Sequence, residues 1–518
     1  MREGAQGSVG DWAPEVTSSL ENAFGLSLPI THAAYVLYWV LAGVLLRAVE
    51  AHFFITAGYA DIDFLLAGIL ALFLHRRWIA FLVTIAVFID FLACFAATYY
   101  FSPQDIPYAL ESTVAFPAYR LAGYAVVLLA VLAGLTLPAV LLRRALKSPH
   151  KWRAAIALIS IAFVLKGIDK WGDYRLRRQV DAASTHTRLL RIPEHGLMLQ
   201  VHFADQLRTT SSINHPDRHV DSAFAHGLGL LASSALAHPN IVEILVESWG
   251  QDENGSINRQ LLAFYDTPEI RDHYRIVTGA VPFTGGTAAG EIRELCASRL
   301  GVSVIHAAAS DLIGCIPYRF RDKGYRTESV HGYLSHMYLR YSWHPKLGFD
   351  QSWFLAELHG QGLRDCPGAF PGICDAQVAR WIGDRLTAES AAKGPPEFLF
   401  WITLNSHLPV PSTTEGLNPV SCAFDAQLAA QEPLCAWFKT EYEVHEAIAQ
   451  LAVRPDLPPT AFFVVGDHAP PFQDAEMRDR FSQSAVPFVL LIPKSRVQQN
   501  AARSDGSQPR ALPAVPPA

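Results

Sequence analysis

Three short stretches carry side chains that could do chemistry together. In FFVVGDHAPPF, residues 462–472, an apolar run stops at Gly466, Asp467 and His468 stand side by side, and Pro470-Pro471 forbid further strand pairing. In IVEILVESWG a second apolar run ends on Glu247. Two carboxylates and one imidazole suit a single divalent cation, Zn²⁺ or Mn²⁺, and three protein ligands leave positions open for a reacting group. That group is expected in FTGGTAAGEIREL, where Gly285-Gly286 lets the backbone come close to a ligand and Thr287 stands where a helix begins. Its hydroxyl would lie among unpaired N–H groups that favour a phosphate. Coordination would lower the hydroxyl's pKa and make Thr287 the nucleophile and a fourth metal ligand. The competing readings are Thr287 as a plain helix cap and Thr284 as the nucleophile.

These residues need elements that bring them to one place. Short apolar runs at 241–246, 328–331, 398–404, 461–465 and 486–492 read as buried parallel strands, separated by helical stretches such as 288–300, 376–386 and 442–451. That alternation predicts an α/β domain with a mostly parallel central sheet and helices on both faces. In such sheets ligands bind beyond the carboxyl ends of the strands. The residues that follow four of the runs are Glu247, His331-Gly332, Asn405-Ser406-His407 and Asp467-His468. Acids and imidazoles thus collect along one sheet edge.

The chain has 518 residues, of which 50% are hydrophobic and only 17% charged, and the apolar residues gather before about residue 170. Crossing a bilayer takes roughly 20 residues of helix. Five runs qualify, at 28–46, 54–74, 78–99, 121–142 and 154–170, the second interrupted by Asp61 and Asp63. The basic loops His75-Arg76-Arg77 and Arg143–Arg153 are expected on the cytoplasmic side. The loop between the third and fourth runs, with Asp105 and Glu111, then faces out, as does everything after Lys170. The resulting expectation is an N-terminal five-helix transmembrane domain over 1–170 and a partly amphipathic connector over 171–239. A catalytic domain follows over 240–493, then a disordered tail over 494–518. The protein is placed in the inner (cytoplasmic) membrane as a multi-pass chain, with its catalytic domain outside the cytoplasm. Six cysteines fall in that domain, which fits an oxidising compartment. Six allow 15 pairings; neighbours in sequence are expected to pair, Cys296 with Cys315, Cys366 with Cys374 and Cys422 with Cys435. The net charge of -6 suggests no nucleic-acid partner.

The motifs resemble the sulfatase-like branch of the alkaline phosphatase superfamily, and more closely its membrane-anchored lipoteichoic acid synthases and phosphoglycerol or phosphoethanolamine transferases. The matching residues are Glu247-Ser248, Gly285-Gly286-Thr287, His407 in ITLNSHLP and Asp467-His468. In HGYLSHMYLRYSWHPKLGFD the positions of His331 and Arg340 match those that hold phosphoglycerol in the glycerolphosphate polymerases, while Tyr338 stands where that family has Trp. Closely spaced cysteine pairs resemble the phosphoethanolamine transferases instead. The Cys/Ser-x-Pro-x-Arg motif of sulfate ester hydrolases is absent around Thr287.

The resemblance implies an alkaline phosphatase/sulfatase-like fold and a metal-dependent phosphotransferase. Its donor is a phospholipid, its acceptor an envelope glycan or lipid, and its intermediate a phospho-threonine. His331, Arg340, His407 and Tyr338 are the implied substrate-binding residues. A phosphodiester hydrolase of the same fold and an inactive membrane-anchored scaffold are the alternatives; a transporter is disfavoured because the spans lack paired charges and broken helices.

Overall fold

The computed structural model describes residues 30–53, 62–75, 78–98, 106–145, 151–164, 220–232, 236, 238–410, 420–472 and 474–494. The chain forms two compact units, one of Met1–Ile106 with Ala118–Thr209, the other of Pro107–Pro117 with Thr210–Ala518. Residues 107–117, read from the sequence as a loop of the first domain, fall in the second unit. The basic stretch at 174–178, the rest of the connector up to 219, and the tail beyond 494 lie outside the described residues.

In the first unit, helices occupy each of the five expected places: Ile30–Phe53, Ile62–Phe73, Ile79–Thr98, Ala118–Ala145 and 151–164. Tyr35, Trp39, Phe64, Leu72, Val83 and Leu158 are fully buried between them. Gly68 makes room for the Trp39 indole, since a Cβ there would meet its ring at 2.7 Å. Large apolar side chains also face outward, among them Val126, Leu129 and Phe163. By length and composition, one helix among the described residues is apolar enough over a sufficient span to cross a membrane, Ala118–Arg143; the apolar stretches Ile30–Leu46, Phe64–Phe73 and Ile79–Phe88 are shorter. In the second expected span the described helix starts at Ile62, just past Asp61, and residues 54–61 lie outside the described set.

The second unit is built on a seven-stranded sheet in the order β2-β9-β8-β1-β7-β3-β4. The strands are β1 Asn240–Val246, β2 Tyr274–Pro282, β3 Arg326–His331, β4 Gln351–Trp353, β7 Glu397–Ile402, β8 Thr460–Gly466 and β9 Ala485–Pro493; β5 Asp365–Cys366 and β6 Gly372–Ile373 form a separate small ladder. β8, β1, β7, β3 and β4 pair in parallel. β9 is antiparallel to both its neighbours, which leaves β2 running with the majority. The mostly parallel sheet is as the sequence suggested, with one correction: β9 was read as parallel. A buried antiparallel strand carries the same continuous apolar run as a parallel one, so its direction is not written in its composition.

Both faces are covered. Phe224, from the helix Ala223–Ala232, meets Phe320, Phe398 and Phe463 on one face. Phe462 points the other way by strand alternation. There it meets Tyr274, whose hydroxyl donates to the Ala452 carbonyl at 2.9 Å, at the end of the helix Glu432–Ala452. That helix packs on Asp375–Ala391. The disulfides are Cys296–Cys315, Cys366–Cys374 and Cys422–Cys435, the pairing of neighbours expected from the sequence.

Candidate active site

The register of the sheet sets the site. His331, Ile402, Leu245 and Val465 stand in one line across β3, β7, β1 and β8, and Val246 faces Gly466 one residue further. The next residues on β1 and β8 are Glu247 and Asp467, so the two acids leave the sheet side by side. β2 runs in the same direction and delivers Gly285, Gly286 and Thr287 to the same edge. Gly466 must be glycine, because a Cβ there would lie 1.9 Å from the Trp249 carbonyl oxygen.

A tight set of hydrogen bonds fixes the acids. The Glu247 N–H donates to Thr403 Oγ1 at 2.9 Å, and Ser406 Oγ donates to the Glu247 carbonyl at 2.6 Å. Ser248, held in the left-handed region at φ 61, donates its N–H to Asp467 Oδ1 at 2.7 Å and its hydroxyl to Glu247 Oε1 at 2.9 Å. The His468 N–H adds a second donor to Asp467 Oδ1 at 2.6 Å. Asp467 Oδ2 is left buried without a hydrogen-bond partner. His468 Nδ1 lies 2.8 Å from the Ala469 carbonyl, so Nδ1 carries the proton and Nε2 turns its lone pair inward. Nε2 stands 3.3 Å from Asp467 Oδ2 and 3.5 Å from Glu247 Oε1. One ligand atom from each of Glu247, Asp467 and His468 lies within 4.8 Å of the others.

Two buried carboxylates at this spacing repel each other. Burial and the neighbouring Glu247 push Asp467 up to about 8. Burial also works against Glu247, but His407 and His468 outweigh it and hold that carboxyl below its usual range. Burial opposes the charged form of His468 too, yet Asp467 and Glu247 raise it overall. A buried orphan oxygen, a second carboxylate and an inward imidazole lone pair are a donor set suited to a divalent cation.

Thr287 is the first residue of the helix Thr287–Cys296 and is buried; Gly286 is the cap. Its hydroxyl is therefore not spent on capping and donates instead to Glu247 Oε2 at 2.9 Å. Gly285 takes the left-handed turn, φ 80, that leads into the helix. The helix sits close on β8, since a Cβ on Gly290 would approach the Asp467 Cβ to 3.0 Å. Arg293 clamps it there, donating to the carbonyls of Gly466 at 2.7 Å and Asp467 at 3.1 Å. Thr284 is half-buried.

The remaining residues singled out in the sequence divide in two. His407 neighbours Glu247 electrostatically, with Nδ1 2.7 Å from the Leu408 carbonyl and its ring edge-on to Phe370 at 4.6 Å. His331, Tyr338 and Arg340 gather instead around Glu291, one helical turn beyond Thr287. Arg340 is fully buried and sends Nε and Nη2 to Glu291 Oε1 at 3.0 and 2.7 Å, with its guanidinium 5.3 Å from the Tyr338 ring centre. His344 Nε2 meets Glu291 Oε2 at 3.0 Å. Burial opposes the Glu291 charge, but Arg340 and His344 win and hold its carboxyl at about 2. His331 Nε2 is buried without a partner, and burial together with Arg340 holds that imidazole well below its ordinary value. Sequence reasoning named Ser248 and Ser406 within their motifs but gave them no role, and it missed Glu291 and Arg293. Glu291 alone had a signal, its place four residues after Thr287 on the same helix face.

The sulfatase family model matches residues 239–508. No curated protein matches the chain. Solved structures similar to it include a lipoteichoic acid synthase, LtaP, from Listeria monocytogenes, with 14% identity over 54% of this chain and 70% of that one, TM-score 0.38. They also include the phosphoglycerol transferase GacH from Streptococcus pyogenes, with 14% identity over 54% of this chain and 78% of that one, TM-score 0.34. A third is the soluble domain of lipooligosaccharide phosphoethanolamine transferase A from Neisseria meningitidis, with 12% identity over 52% and 81%, TM-score 0.30. The family match spans more than half of the 518 residues and takes in every strand of the sheet and all four residues of the buried cluster, so the chain belongs to the sulfatase family.

Proposed function

We propose that the protein is a membrane-bound, metal-dependent phosphotransferase. It moves a phospho-substituent, phosphoglycerol or phosphoethanolamine, from a phospholipid headgroup to an envelope glycan or lipid. One observation carries this reading: the Thr287 hydroxyl donates to Glu247 at 2.9 Å beside the unpartnered Asp467 Oδ2. Glu247, Thr287, Asp467 and His468 would hold a Zn²⁺ or Mn²⁺ ion. Such an ion supplies Lewis-acid stabilisation of the phosphoryl oxygens and of an ionised hydroxyl.

The chain's own groups account for the rest. Thr287 Oγ1 forms a bond to phosphorus as the bond from phosphorus to the diacylglycerol oxygen breaks. The hydroxyl proton is held at Glu247 Oε2. His407, next to Glu247, returns a proton to the leaving alcohol. In the second half, an acceptor hydroxyl gives its proton to His407 as its oxygen attacks phosphorus, the bond from phosphorus to Oγ1 breaks, and Oγ1 takes back the proton held at Glu247. His331, with its buried free Nε2, binds the substituent. Arg340 and Tyr338 complete that side of the pocket. The apolar helices of the first unit anchor the chain as five spans, with the second unit outside the cytoplasm. Anchoring keeps the site at a high effective concentration of donor lipid.

Intact-mass analysis of the metal-loaded, full-length protein after exposure to phosphatidylglycerol or phosphatidylethanolamine tests this. A mass gain equal to one headgroup phosphate ester, mapped to Thr287 and lost in Thr287→Ala, is the expected result. Release of headgroup phosphate to water, with no transfer to any glycan or lipid acceptor, would make the protein a hydrolase. No adduct and no turnover with either lipid would leave an inactive scaffold.

A further inference from the structure

The chain enters the second unit for a few residues between two apolar helices of the first. Pro107–Pro117 belongs to the unit that holds the candidate site, while Ile106 and Ala118 belong to the other. This segment comprises most of the short helix Ile106–Ser112 and the 3₁₀ turn Thr113–Ala115. Its side chains sort by helical spacing. Tyr108 lies edge-on to His306, with ring centres 5.1 Å apart, and Glu111 accepts a hydrogen bond from the Tyr341 hydroxyl. The Ala115 carbonyl accepts from the Tyr333 hydroxyl, and Phe116 packs on Phe370 at 5.5 Å. These contacts all lie within the second unit; Tyr333 stands two residues past His331, and Phe370 is the same ring that meets His407. The opposite face carries Leu110 and Val114, one turn apart and 47% and 64% exposed.

The sequence neighbours identify what covers that face. Ala118 begins the one helix, among the described residues, that is long and apolar enough to cross a bilayer. A residue just before the start of a spanning helix lies at the membrane interface, where aromatic rings and amphipathic segments settle. We infer that Pro107–Pro117 is a membrane-contact segment. Leu110 and Val114 sit at the headgroup boundary of a lipid bilayer, and Glu111, Ala115 and Phe116 hold the mouth of the site beside them. A donor lipid then reaches Thr287 without leaving its leaflet. The inference rests on reading the apolar helices as spans.

The test places a thiol-reactive fluorophore at Val114→Cys, Val126→Cys or Ala391→Cys in a full-length Cys94→Ser background, where the other six cysteines are disulfide-bonded. Val126 reports on the apolar helix, and Ala391 lies at the amino-terminal side of β7, away from the site. The proteins are placed in phosphatidylglycerol–phosphatidylcholine nanodiscs containing a nitroxide-labelled lipid. Quenching at 114 and 126 with none at 391 is expected. Quenching at 126 without 114 overturns this inference and leaves the spans standing, as it would if a protein partner covered the face. Quenching at neither overturns both. As a second readout, Leu110→Asp with Val114→Asp should lower turnover of bilayer-embedded donor about tenfold or more, as expected for losing two apolar side chains from the interface. Turnover of a water-soluble aryl phosphodiester should stay unchanged. An equal effect on both substrates, or none on either, counts against the segment's role.

Discussion

The buried ion cluster one helical turn beyond Thr287 makes a quantitative prediction. Arg340 and Glu291 are both fully buried, joined at 2.7 and 3.0 Å, with His344 on the second carboxylate oxygen. Arg340→Met leaves the Glu291 charge without its main partner. Removing one member of a buried pair costs about 3–5 kcal/mol. At roughly 2–4 °C per kcal/mol for a large domain, the melting midpoint should fall by about 6–20 °C. Glu291→Leu combined with Arg340→Met should recover most of that, because an apolar replacement of both partners removes the orphaned charge. The pH dependence has a definite sign. The Glu291 carboxyl is depressed to about 2, so it contributes stability above its unfolded value near 4.3 and loses that contribution as pH falls through about 2. The gap between wild type and Arg340→Met should therefore narrow from pH 7 toward pH 3. Thermal melts of the full-length protein in detergent, followed by tryptophan fluorescence, measure this; Trp343 packs on His344 at 4.5 Å and reports on the cluster. A change below about 1 kcal/mol at pH 7, or a gap of equal size at both pH values, would refute the reasoning. A stable Arg340→Met with a raised KM for lipid would instead assign Arg340 to direct substrate contact.

Chelation should destabilise the protein increasingly as pH rises. Asp467, raised to about 8, favours the cation-free fold only while protonated, so that fold loses stability from its unfolded value near 3.9 up through about 8. Melts with and without Zn²⁺ or Mn²⁺ should diverge over that range, and parallel curves would remove Asp467 from the metal site. Gly290→Ala places a Cβ 3.0 Å from the Asp467 Cβ and 3.1 Å from its Cα, where backbone has to shift. Metal affinity measured by competition with a chelating dye should fall at least tenfold, an equivalent of about 1.4 kcal/mol; unchanged affinity would mean the helix does not set the ligand geometry.

The parts of the site that were legible in the sequence share one physical cause. A strand buried on both faces must be apolar throughout, so the first polar residues after it mark the sheet edge. That is why Glu247, His331, His407 and Asp467-His468 are legible as one sheet edge from the sequence alone. β2 and β4 escaped because they are the edge strands. β2, YRIVTGAVP, is only partly buried and β4 has three residues, so neither shows a continuous apolar run. The surroundings of Arg340 escaped for a different reason. Its partner Glu291 is 49 residues away and carries no strand or turn signal that ties the two together. The attachment of 107–117 to the second unit is likewise a matter of long-range contacts such as Tyr333 with Ala115, 218 residues apart. Neighbouring cysteines, by contrast, paired as their short spacing suggested.

The placement of β8 between β1 and β9 imposes a schedule on the chain. Glu247 and Thr287 emerge early during synthesis, yet Asp467 and His468 arrive some two hundred residues later, the distance spanned by the Ser248–Asp467 hydrogen bond, 219 positions. Until that late strand slots into the middle of the sheet, the cluster of Glu247, Asp467 and His468 stays incomplete. A nascent or truncated chain therefore lacks half of the buried cluster, and the assembled site appears only with completion of the fold.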